Sequence, residues 1–436
     1  MSNREIFDVL GVGIGPSNLS LAALLNPVKD VNSCFQERRV RFEWHPGLMF
    51  PEANIQVSFL KDLVTLADPT NPFSFVSFLH AKKRLYRFIT SNFARISRLE
   101  YNQYLQWVCA SLPNLKFGCE IEAITHDGNS FVVYGTDGTR YARNLVLGTG
   151  LSPAVPSCAK KHMGHPTVFS ALEFLDRQID ATGLRVAIVG GGQTGAEIVS
   201  RLLLDFTKLP SKILWVSRRH NFLPLDESPF ANELFTPAYS KYFFKLMPEE
   251  KARLLLDQKL ASDGVASDLL ETIYRRLYNL EFLHNKGRIC SLRPGSRIEE
   301  IERCDDEWML TINSQVGDRI ESLPADIIIL CTGFEYRMPP FLSGLSHRIS
   351  WTEVGYNVGS DFSIEWDGPP NHRIFVQNAA QKQRGIADPN LSLIAWRSAT
   401  IINSLANRNV YDIDQQSTLF DWEETPAIRQ AVGGTV

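Results

Sequence analysis

The sequence predicts an α/β protein with two Rossmann-like units. Two observations lead to this fold class: a glycine turn follows an apolar strand near the N-terminus, in "VGIGPSN", and a second one follows another apolar strand, in "VAIVGGGQTGAE". A stretch that favours a helix follows each turn, and strand, turn and helix together are typical of a dinucleotide-binding site. A chain of 436 residues is also too long for one compact core.

The first unit begins with a βαβ pattern. The apolar runs and their stop signals predict a strand at 7–12, a helix at 18–25, a strand at 33–36, helices at 74–89 and 98–112, and a strand–turn–strand at 131–150.

The second unit has the same start and a different continuation. Its pattern predicts a strand at 185–189, a helix at 194–204, a strand at 212–216, a helical insertion at about 220–285, and strands near 307–313 and 325–331. We expect the strand at 325–331 and a C-terminal helix at 390–403 to return to the first unit. The predicted division is therefore 1–180 with 325–436 for the first unit and 181–324 for the second.

The first glycine turn reads GxGxxN, with Gly13, Gly15 and Asn18. The two glycines allow a tight turn and let backbone N–H groups approach a phosphate at the start of a helix. Asn18 stands where a third glycine is usual, and we expect it to loosen the strand–helix packing. Glu37 ends the second strand, where its carboxylate can accept hydrogen bonds from a ribose. The alternative is a glycine turn in a domain that binds no nucleotide.

The second turn is a full GxGxxG, with Gly190, Gly192 and Gly195 around Gln193 and Thr194. Its second strand leads into Ser217, Arg218 and Arg219, where an NAD site usually carries an acidic residue. Arginines pair with a 2′-phosphate, so this turn favours NADPH over NADH. The alternative is a solvated basic strand end.

Two dinucleotide sites on one chain suit a bound flavin, FAD, and a nicotinamide that reduces it. The strands "LVLGTG" and "IILCTGF" both end in Thr-Gly, the second at Thr332 and Gly333, and such turns commonly connect flavin and nicotinamide domains. The segment "FEWHPGLMF" can form a wall of the flavin site through Trp44, His45 and Met49. Packing in the core is the alternative for these side chains.

Composition excludes several classes of protein. The net charge of −3 gives no general attraction to nucleic acid or to anionic membranes, and no apolar run reaches the roughly 20 residues of a membrane span. We interpret the N-terminal residues as a first strand and not as a signal peptide. Seven scattered cysteines, without CxxC or metal-type spacing, suggest reduced thiols in a cytoplasmic enzyme with no metal site and argue against a disulfide reductase.

Longer motifs resemble the flavin-dependent lysine/ornithine N-hydroxylases of siderophore biosynthesis, and most closely the lysine branch. They extend over nearly the whole chain in order: "WHPGLMFPEANIQVSFLKDLVTLADPTNPFSFVSFLH", "IVGGGQTGAE", "WVSRR", "DESPFANELFTP", "SDGVASDLLETIYRRLY" and "GIADPNLSLIAWRSA". The resemblance implies an FAD domain, an NADPH domain and a small helical substrate region, in a homodimer or homotetramer.

The resemblance also implies roles for individual residues. Gln56 and Lys61 match positions beside flavin and substrate, where the lysine holds a substrate carboxylate, and Asn232 matches a substrate-contacting asparagine. Ser392 follows the loop from Gly385 to Leu391 that lies over the flavin in the family. Asp263 and Gly264 replace the Asn-Tyr pair of the ornithine enzymes and match the lysine branch, with Asp263 on the cofactor side. For Lys61 the alternative is a structural ion pair with Asp62 or another acidic residue.

The expected activity is N-hydroxylation of the terminal primary amine of L-lysine or a related small amine, with NADPH and O₂. Relatives that act on decarboxylated amines keep putrescine, cadaverine and histamine open as substrates. Two other functions also remain open at this point: a Baeyer–Villiger or sulfur-oxidising flavin monooxygenase, and a non-catalytic nucleotide-binding sensor.

Overall fold

The structure, a computed structural model, describes residues 4–315, 317, 319–414 and 418–422. The first part of the chain forms β1 (Ile6–Val12), α1 (Pro16–Leu25), β2 (Ser33–Glu37), α2 (Phe75–Ala81), α3 (Leu85–Ser91), α4 (Arg98–Ser111), β3 (Leu115–Phe117), β4 (Ile121–His126), β5 (Phe131–Gly135), β6 (Gly138–Leu147) and β7 (Ser152–Pro153).

The middle part forms α5 (Ser157–Lys160), β8 (Val168–Ser170), β9 (Arg185–Val189), α6 (Gln193–Leu202), β10 (Lys212–Val216), α7 (Pro229–Asn232), α8 (Pro237–Lys245), α9 (Pro248–Asp257), α10 (Lys259–Asp263), α11 (Ser267–Tyr278), β11 (Cys290–Arg293), β12 (Ser296–Cys304), β13 (Glu307–Ser314), β14 (Ile320–Ala325) and β15 (Ile327–Leu330). The last part forms β16 (Phe334–Glu335), β17 (Trp351–Thr352), β18 (Gly355–Tyr356), β19 (Ile374–Val376), α12 (Gln381–Arg384) and α13 (Ile394–Ala406).

The first sheet has the order β3-β2-β1-β6-β5-β4, with β1 parallel to β2 and to β6. The long strand β6 has two partners on one side: β5 pairs antiparallel with its first half, and β19 pairs parallel with residues 145–147. Helices cover this sheet, which explains why the buried half of β1, from Val9 to Val12, is apolar throughout and does not alternate.

The second sheet is entirely parallel, in the order β11-β10-β9-β15-β8. A three-stranded antiparallel sheet, β12-β13-β14, packs against it through Trp308, Leu310 and Ile312, which share a core with Ile328 and Leu330. The predicted helical insertion is present as α7 to α11. The two Rossmann-like units of the predicted fold class are therefore confirmed.

The strand predicted at 325–331 does not return to the first unit, so this part of the prediction is wrong. It is interrupted at Asp326, which binds Arg185, and its second part, β15, pairs with β9 and β8 in the second sheet. Strand β8 lies inside the predicted first unit, 1–180, and also belongs to the second sheet. The chain rejoins the first sheet only at β19, and α13 then packs on α1. An isoleucine-rich run suits either parallel sheet, so its pattern does not identify its partner.

The single helix predicted at 74–89 is two helices, α2 and α3. The chain turns at Lys83, whose backbone is left-handed with φ of 57°. The turn brings the ring of Phe88 back to within 5.7 Å of the ring of Phe75, edge to face. Aromatic packing in the core therefore prevails over the helical preference of the sequence between them.

Asn18 tightens the first unit instead of loosening it, contrary to the sequence-based expectation. Its side chain is fully buried, and its amide nitrogen donates to the carbonyl oxygens of Val12 at 3.1 Å and of Gly13 at 2.8 Å. Its amide oxygen accepts from Gln377 Nε2 at 2.9 Å. The space comes from Gly148, where a Cβ would lie 2.4 Å from the Asn18 amide nitrogen.

Replacing Asn18 by Gly, which would restore the common glycine pattern, should lower the free energy of unfolding by about 1–3 kcal/mol, because buried hydrogen-bonding groups lose their partner. Urea unfolding followed by far-UV circular dichroism measures the change. Asn129→Gly, in an exposed turn, is the matched control and should change little. An Asn18→Gly protein as stable as the wild type would mean that these hydrogen bonds do not hold the unit together.

Candidate functional site

The first glycine turn leaves room at the start of α1. Gly13 has φ of +85°, and a Cβ there would lie 2.6 Å from the carbonyl oxygen of Gly148, so only glycine fits. At Gly15 a Cβ would meet no atom within 4 Å, and α1 begins there without a side-chain cap. The positive end of a ten-residue helix therefore faces open space, as an anion-binding turn requires.

Glu37 lies at the end of β2 beside this turn. Its carboxylate accepts hydrogen bonds from the backbone N–H of Ile14 at 2.9 Å and of Arg39 at 3.0 Å. A carboxylate has about four acceptor positions, so capacity remains for a ribose hydroxyl. Binding of a ribose by Glu37 stays a prediction.

The segment 44–56 connects the two units, and we call it the wall segment. The Trp44 ring lies 5.7 Å from the His45 ring, and His45 is exposed with a left-handed backbone at φ of 48°. Met49 is half-buried, whereas Leu48, Phe50 and Ala53 pack in the core of the second unit. The predicted flavin-side residues are thus carried on a segment that both units hold.

Gln56 is the last residue of the wall segment, and Lys61 follows it in the first unit. The side-chain nitrogen of Gln56 is buried and has no hydrogen-bond partner among the described residues. The Lys61 ammonium donates to Ser392 Oγ at 3.4 Å, which joins two residues 331 positions apart. Burial lowers the pKa of Lys61 from its usual value. The buried Gln56 nitrogen and the half-buried Lys61 ammonium are each groups whose hydrogen bonding a polar ligand would complete.

Asp62 does not pair with Lys61. Its two carboxylate oxygens accept hydrogen bonds from the backbone N–H groups of Val64, Thr65 and Phe75. No ion pair of Lys61 is present within the described part of the chain. The structural ion pair considered from the sequence is therefore not formed.

The loop after α12 leads to Ser392. Gly385 ends α12 with φ of +88°, a conformation that favours glycine, and its Cβ position faces the ring of Phe243 at 3.4 Å. Leu391 begins a single helical turn, where the Asn390 side chain accepts from the N–H and the hydroxyl of Ser392 at 2.8 and 2.7 Å. These hydrogen bonds fix the Ser392 hydroxyl that faces Lys61.

Asn232 stands apart from these groups. It is exposed at the end of α7, and its side chain donates to the carbonyl oxygen of Glu227 at 3.2 Å. In residues 4–315 and the other described stretches, no hydrogen bond joins Asn232 to Lys61 or Ser392. A substrate-contacting role for Asn232 stays a prediction.

The second glycine turn depends on two close backbone contacts and one open position. A Cβ at Gly190, which has φ of +134°, would lie 2.0 Å from the carbonyl oxygen of Cys331, and one at Gly195 would lie 2.3 Å from the carbonyl oxygen of Gly190. Gly192 opens α6, and its Cβ position has only the Asp263 carbonyl oxygen within 4 Å, at 3.8 Å. The second turn thus packs tightly at its base and is open where α6 begins.

Gln193 and Thr194 form the first turn of α6. The oxygen and the nitrogen of the Gln193 side-chain amide both form hydrogen bonds within the protein. Oε1 accepts from the Ala266 N–H at 2.8 Å, and Nε2 donates to Glu197 at 3.0 Å. The side chain of Gln193 therefore supports the turn, and its predicted contact with the cofactor would need the backbone.

The two arginines after β10 differ. Arg218 is exposed and has no ion pair among the residues that the structure describes. Arg219 donates to the Asp263 carbonyl oxygen at 2.8 Å and lies 3.8 Å from its carboxylate. Ser217 is buried, and its hydroxyl accepts from the N–H of Arg219 at 3.2 Å. Only Arg218 is thus free for a phosphate, while Arg219 connects the strand end to the helical insertion.

The two Thr-Gly turns lie where the chain crosses between the units. Residues 152–153 pair antiparallel with residues 334–335, and the hydroxyl of Thr332 donates to the carbonyl oxygen of Ala154 at 2.6 Å. Gly333 has φ of +87° and accepts from the N–H of Ala154. The predicted crossing between the units is observed, and the two connecting segments form one antiparallel two-stranded ribbon.

A cavity of ≈ 240 Å³ lies between the wall segment and the helices α6 and α11. Gln56 lines it from the first unit, and Gln193 and Glu197 line it from the second. The two units therefore meet around a polar space that reaches from Gln56 to the second glycine turn.

Buried polar groups that position the site were not predicted from the sequence. Asp388, within the loop from Gly385 to Leu391, forms an ion pair with Arg397 of α13. Arg98 forms a second ion pair with Glu197, between the two units. The one available signal was an arginine inside the apolar stripe of the C-terminal helix, since a charged residue there requires a buried partner. The spacing does not identify that partner.

The chain was compared with known proteins. A family profile described as L-lysine 6-monooxygenase/L-ornithine 5-monooxygenase matches residues 5–336. The L-lysine N6-monooxygenase of Escherichia coli is 40% identical over 422 residues, covering 96% of this chain and 99% of the relative.

Two solved structures are similar over nearly the whole chain. One is the FAD-bound cadaverine monooxygenase of the desferrioxamine pathway of Erwinia amylovora, with a TM-score of 0.89 and 32% identity, covering 96% of this chain and 98% of that one. The other is the ornithine N-hydroxylase of Kutzneria sp. 744 with reduced FAD, NADP⁺ and L-ornithine, with a TM-score of 0.85 and 30% identity, covering 92% and 99%.

These matches confirm the predicted enzyme class. The family profile covers both glycine turns, the wall segment, Lys61 and the helical insertion, and the two solved structures extend the similarity to 96% and 92% of the chain. No helix of the described residues is long and apolar enough to cross a membrane. The chain belongs to the L-lysine 6-monooxygenase/L-ornithine 5-monooxygenase family.

Proposed function

We propose that this protein is an FAD- and NADPH-dependent monooxygenase that N-hydroxylates the terminal primary amine of L-lysine, or of a related small amine, for hydroxamate siderophore biosynthesis. One observation carries the proposal: Lys61, a half-buried lysine without an ion pair in the described chain, donates to the hydroxyl of Ser392 at 3.4 Å.

The first unit fits FAD. Gly13 and Gly15 keep the start of α1 clear of side chains, and the helix N-terminus suits a pyrophosphate. Glu37 is placed for a ribose, and Trp44 and the exposed His45 offer flat surfaces for the flavin ring. When bound, FAD accepts hydride from NADPH and activates O₂ for transfer of one oxygen atom to nitrogen.

The second unit fits NADPH. The start of α6 at Gly192 is open to a pyrophosphate, and the exposed Arg218 has no described ion-pair partner to compete with a 2′-phosphate. Arg219 donates to the carbonyl oxygen of Asp263 and thereby connects the strand end at this site to α10.

The substrate nitrogen must be neutral to react, although the amine of free lysine has a pKa of about 10.4. A nearby cation and a site of low polarity both favour the neutral amine. Lys61 provides the cation, and it also offers a charge-assisted hydrogen bond to a substrate carboxylate. Helices α8 and α9 of the insertion pack against α12, the helix before the loop that leads to Ser392, and we expect them to help exclude water there.

The decarboxylated amines putrescine, cadaverine and histamine remain the second candidate substrates. They lack the carboxylate that Lys61 would bind, and the similar enzyme of Erwinia amylovora acts on cadaverine. We also propose a cytoplasmic location, supported by seven free cysteines, and a homodimer or homotetramer.

A panel of amines tests the function. Purified protein with FAD, NADPH and O₂ should convert L-lysine to its N⁶-hydroxy product faster than it converts ornithine, putrescine, cadaverine or histamine. The product must be quantified by mass spectrometry, because NADPH oxidation alone also occurs without hydroxylation. Hydroxylamine formation from none of these amines, with oxidation of a ketone or sulfide instead, would identify another flavin monooxygenase. Protein that binds no flavin and oxidises no NADPH would indicate a sensor.

Replacing Lys61 by Ala should raise KM for L-lysine by about 10- to 100-fold, because a charge-assisted hydrogen bond contributes about 1.5–3 kcal/mol. KM for NADPH should stay within about twofold of wild type. Steady-state kinetics of product formation measures both.

Two comparisons make this result specific. KM for cadaverine, which has no carboxylate, should change far less than KM for L-lysine in Lys61→Ala. Lys82→Ala, a matched change at an exposed lysine on the same unit, should behave as wild type. An equal rise of KM for both substrates would contradict carboxylate binding by Lys61.

Replacing Arg218 by Ala should reduce kcat/KM for NADPH by about 10- to 100-fold and leave kcat/KM for NADH nearly unchanged, because only NADPH carries the 2′-phosphate. Initial rates with each nucleotide measure this preference. Arg297→Ala, at an exposed arginine of β12, is the control. An unchanged preference for NADPH would mean that the 2′-phosphate binds elsewhere on the protein and not at Arg218.

A further inference from the structure

The predicted NADPH contacts lie in the second unit. They are on a different part of the fold from the wall segment of the first unit. The glycine turn at 190–195 and Arg218 belong to the second sheet and its strand ends. Trp44 and His45 belong to the wall segment, at the face of the first unit. The approach of a nicotinamide to a flavin would therefore be set by contacts between the units and not by the contacts that bind each nucleotide.

One contact between the units is both buried and bidentate. Arg98, at the start of α4, donates from Nη2 to Glu197 Oε1 at 2.9 Å and from Nη1 to Glu197 Oε2 at 3.2 Å. The side chains are 15% and 6% exposed. Two parallel hydrogen bonds restrict direction as well as distance, so this pair limits rotation of one unit against the other.

On the first-unit side, the pair is tied to the wall segment. Arg98 Nη1 also donates to the carbonyl oxygen of Leu48 at 2.9 Å, and the N–H of Arg98 donates to the carbonyl oxygen of Ala53 at 2.8 Å. Leu48 follows His45 by three residues in a single helical turn. Arg98 therefore holds the backbone that presents the predicted flavin-side residues.

On the second-unit side, the pair is tied to the second glycine turn. Glu197 Oε1 accepts from Gln193 Nε2 at 3.0 Å, and Gln193 Oε1 accepts from the N–H of Ala266 at 2.8 Å. Gln193 directly follows Gly192. A continuous chain of hydrogen bonds thus runs from Leu48 through Arg98, Glu197 and Gln193 to the helical insertion.

We propose that Arg98 and Glu197 are a positioning pair that sets the approach of the nicotinamide to the flavin for hydride transfer without contributing to NADPH affinity. This inference rests on the proposed function. A displacement of about 1 Å can slow an enzymatic step by about 100-fold, so a small rotation of the units is enough to matter. NADPH affinity should persist, because its predicted contacts all lie within the second unit.

The test uses Glu197→Gln, which keeps the shape and an acceptor for Gln193 but removes the charge. Flavin reduction by saturating NADPH, measured anaerobically by stopped-flow absorbance, should slow by about 10- to 100-fold. The dissociation constant of NADP⁺, from titration calorimetry, should stay within about threefold. Hydrogen–deuterium exchange should become faster in both the wall segment and the first turn of α6.

Two further variants separate positioning from general stability. Arg98→Lys keeps the positive charge but cannot form the two parallel hydrogen bonds. It should slow flavin reduction less than Glu197→Gln does. Glu271→Gln removes an exposed ion pair with Arg275 on α11, whose side chains are 62% and 76% exposed, and should leave all three measurements at wild-type values. If Glu197→Gln does not fold, Arg98→Lys carries the test.

Reduction rates within twofold of wild type in both variants would overturn the inference, and so would an NADP⁺ dissociation constant that rises in proportion to the loss of rate. Either result leaves the proposed function standing, because the wild type still reduces its flavin with NADPH. Wild-type protein that is not reduced by NADPH at all would instead remove the proposed function and this inference with it.

Discussion

The ion pair between Arg397 and Asp388 holds together the parts of the first unit on which its site depends. Both side chains are 1% exposed, and their nitrogen and oxygen atoms lie 2.9 Å apart. The guanidinium of Arg397 also donates to Gln377 at 3.0 Å, to Asn378 at 2.8 Å and to Ser17 at 3.2 Å. Burial lowers the pKa of Arg397, and the Asp388 carboxylate opposes this shift.

The position of this pair explains its influence. Ser17 lies in the first turn of α1, Gln377 and Asn378 follow β19, and Asp388 lies in the loop that leads to Ser392. Removal of one partner of a buried pair costs about 3–5 kcal/mol, because the other charge is left without compensation. The same contacts that stabilise the unit therefore also align the start of α1 with the Ser392 hydroxyl that meets Lys61. Stability and site geometry are not separable here.

The local sequence pattern was sufficient to predict the strands and helices themselves. It was insufficient to predict which elements pair or pack together. The strands at 185–189 and 212–216 were predicted to the residue, because a glycine turn or a basic pair marks their ends. The partner of the strand at 327–330 was predicted wrongly, because an isoleucine run is compatible with either parallel sheet. The predicted helix at 74–89 is broken at Lys83, since the rings of Phe88 and Phe75 pack together and no local signal marks that turn.

The same distinction applies to the site. The glycine turns follow from short-range chemistry, because a missing Cβ has a direct consequence for the backbone. The family resemblance pointed to Lys61 and to Ser392 separately, but neither it nor the spacing predicted their contact, which spans 331 positions. The difference between Arg218 and Arg219 could not be predicted at all, because it depends on where α10 places Asp263. Long-range contacts of this kind exist only once the chain has folded.

The fit between Asn18 and Gly148 makes these two positions interdependent during evolution. With Asn at 18, any residue larger than glycine at 148 collides with the amide, at 2.4 Å. A lineage that acquires a side chain at 148 must first shorten residue 18, because glycine at 18 removes this collision. Mutational libraries that vary one of the two positions alone would therefore miss the viable combinations, and searches for GxGxxG alone would pass over this nucleotide turn.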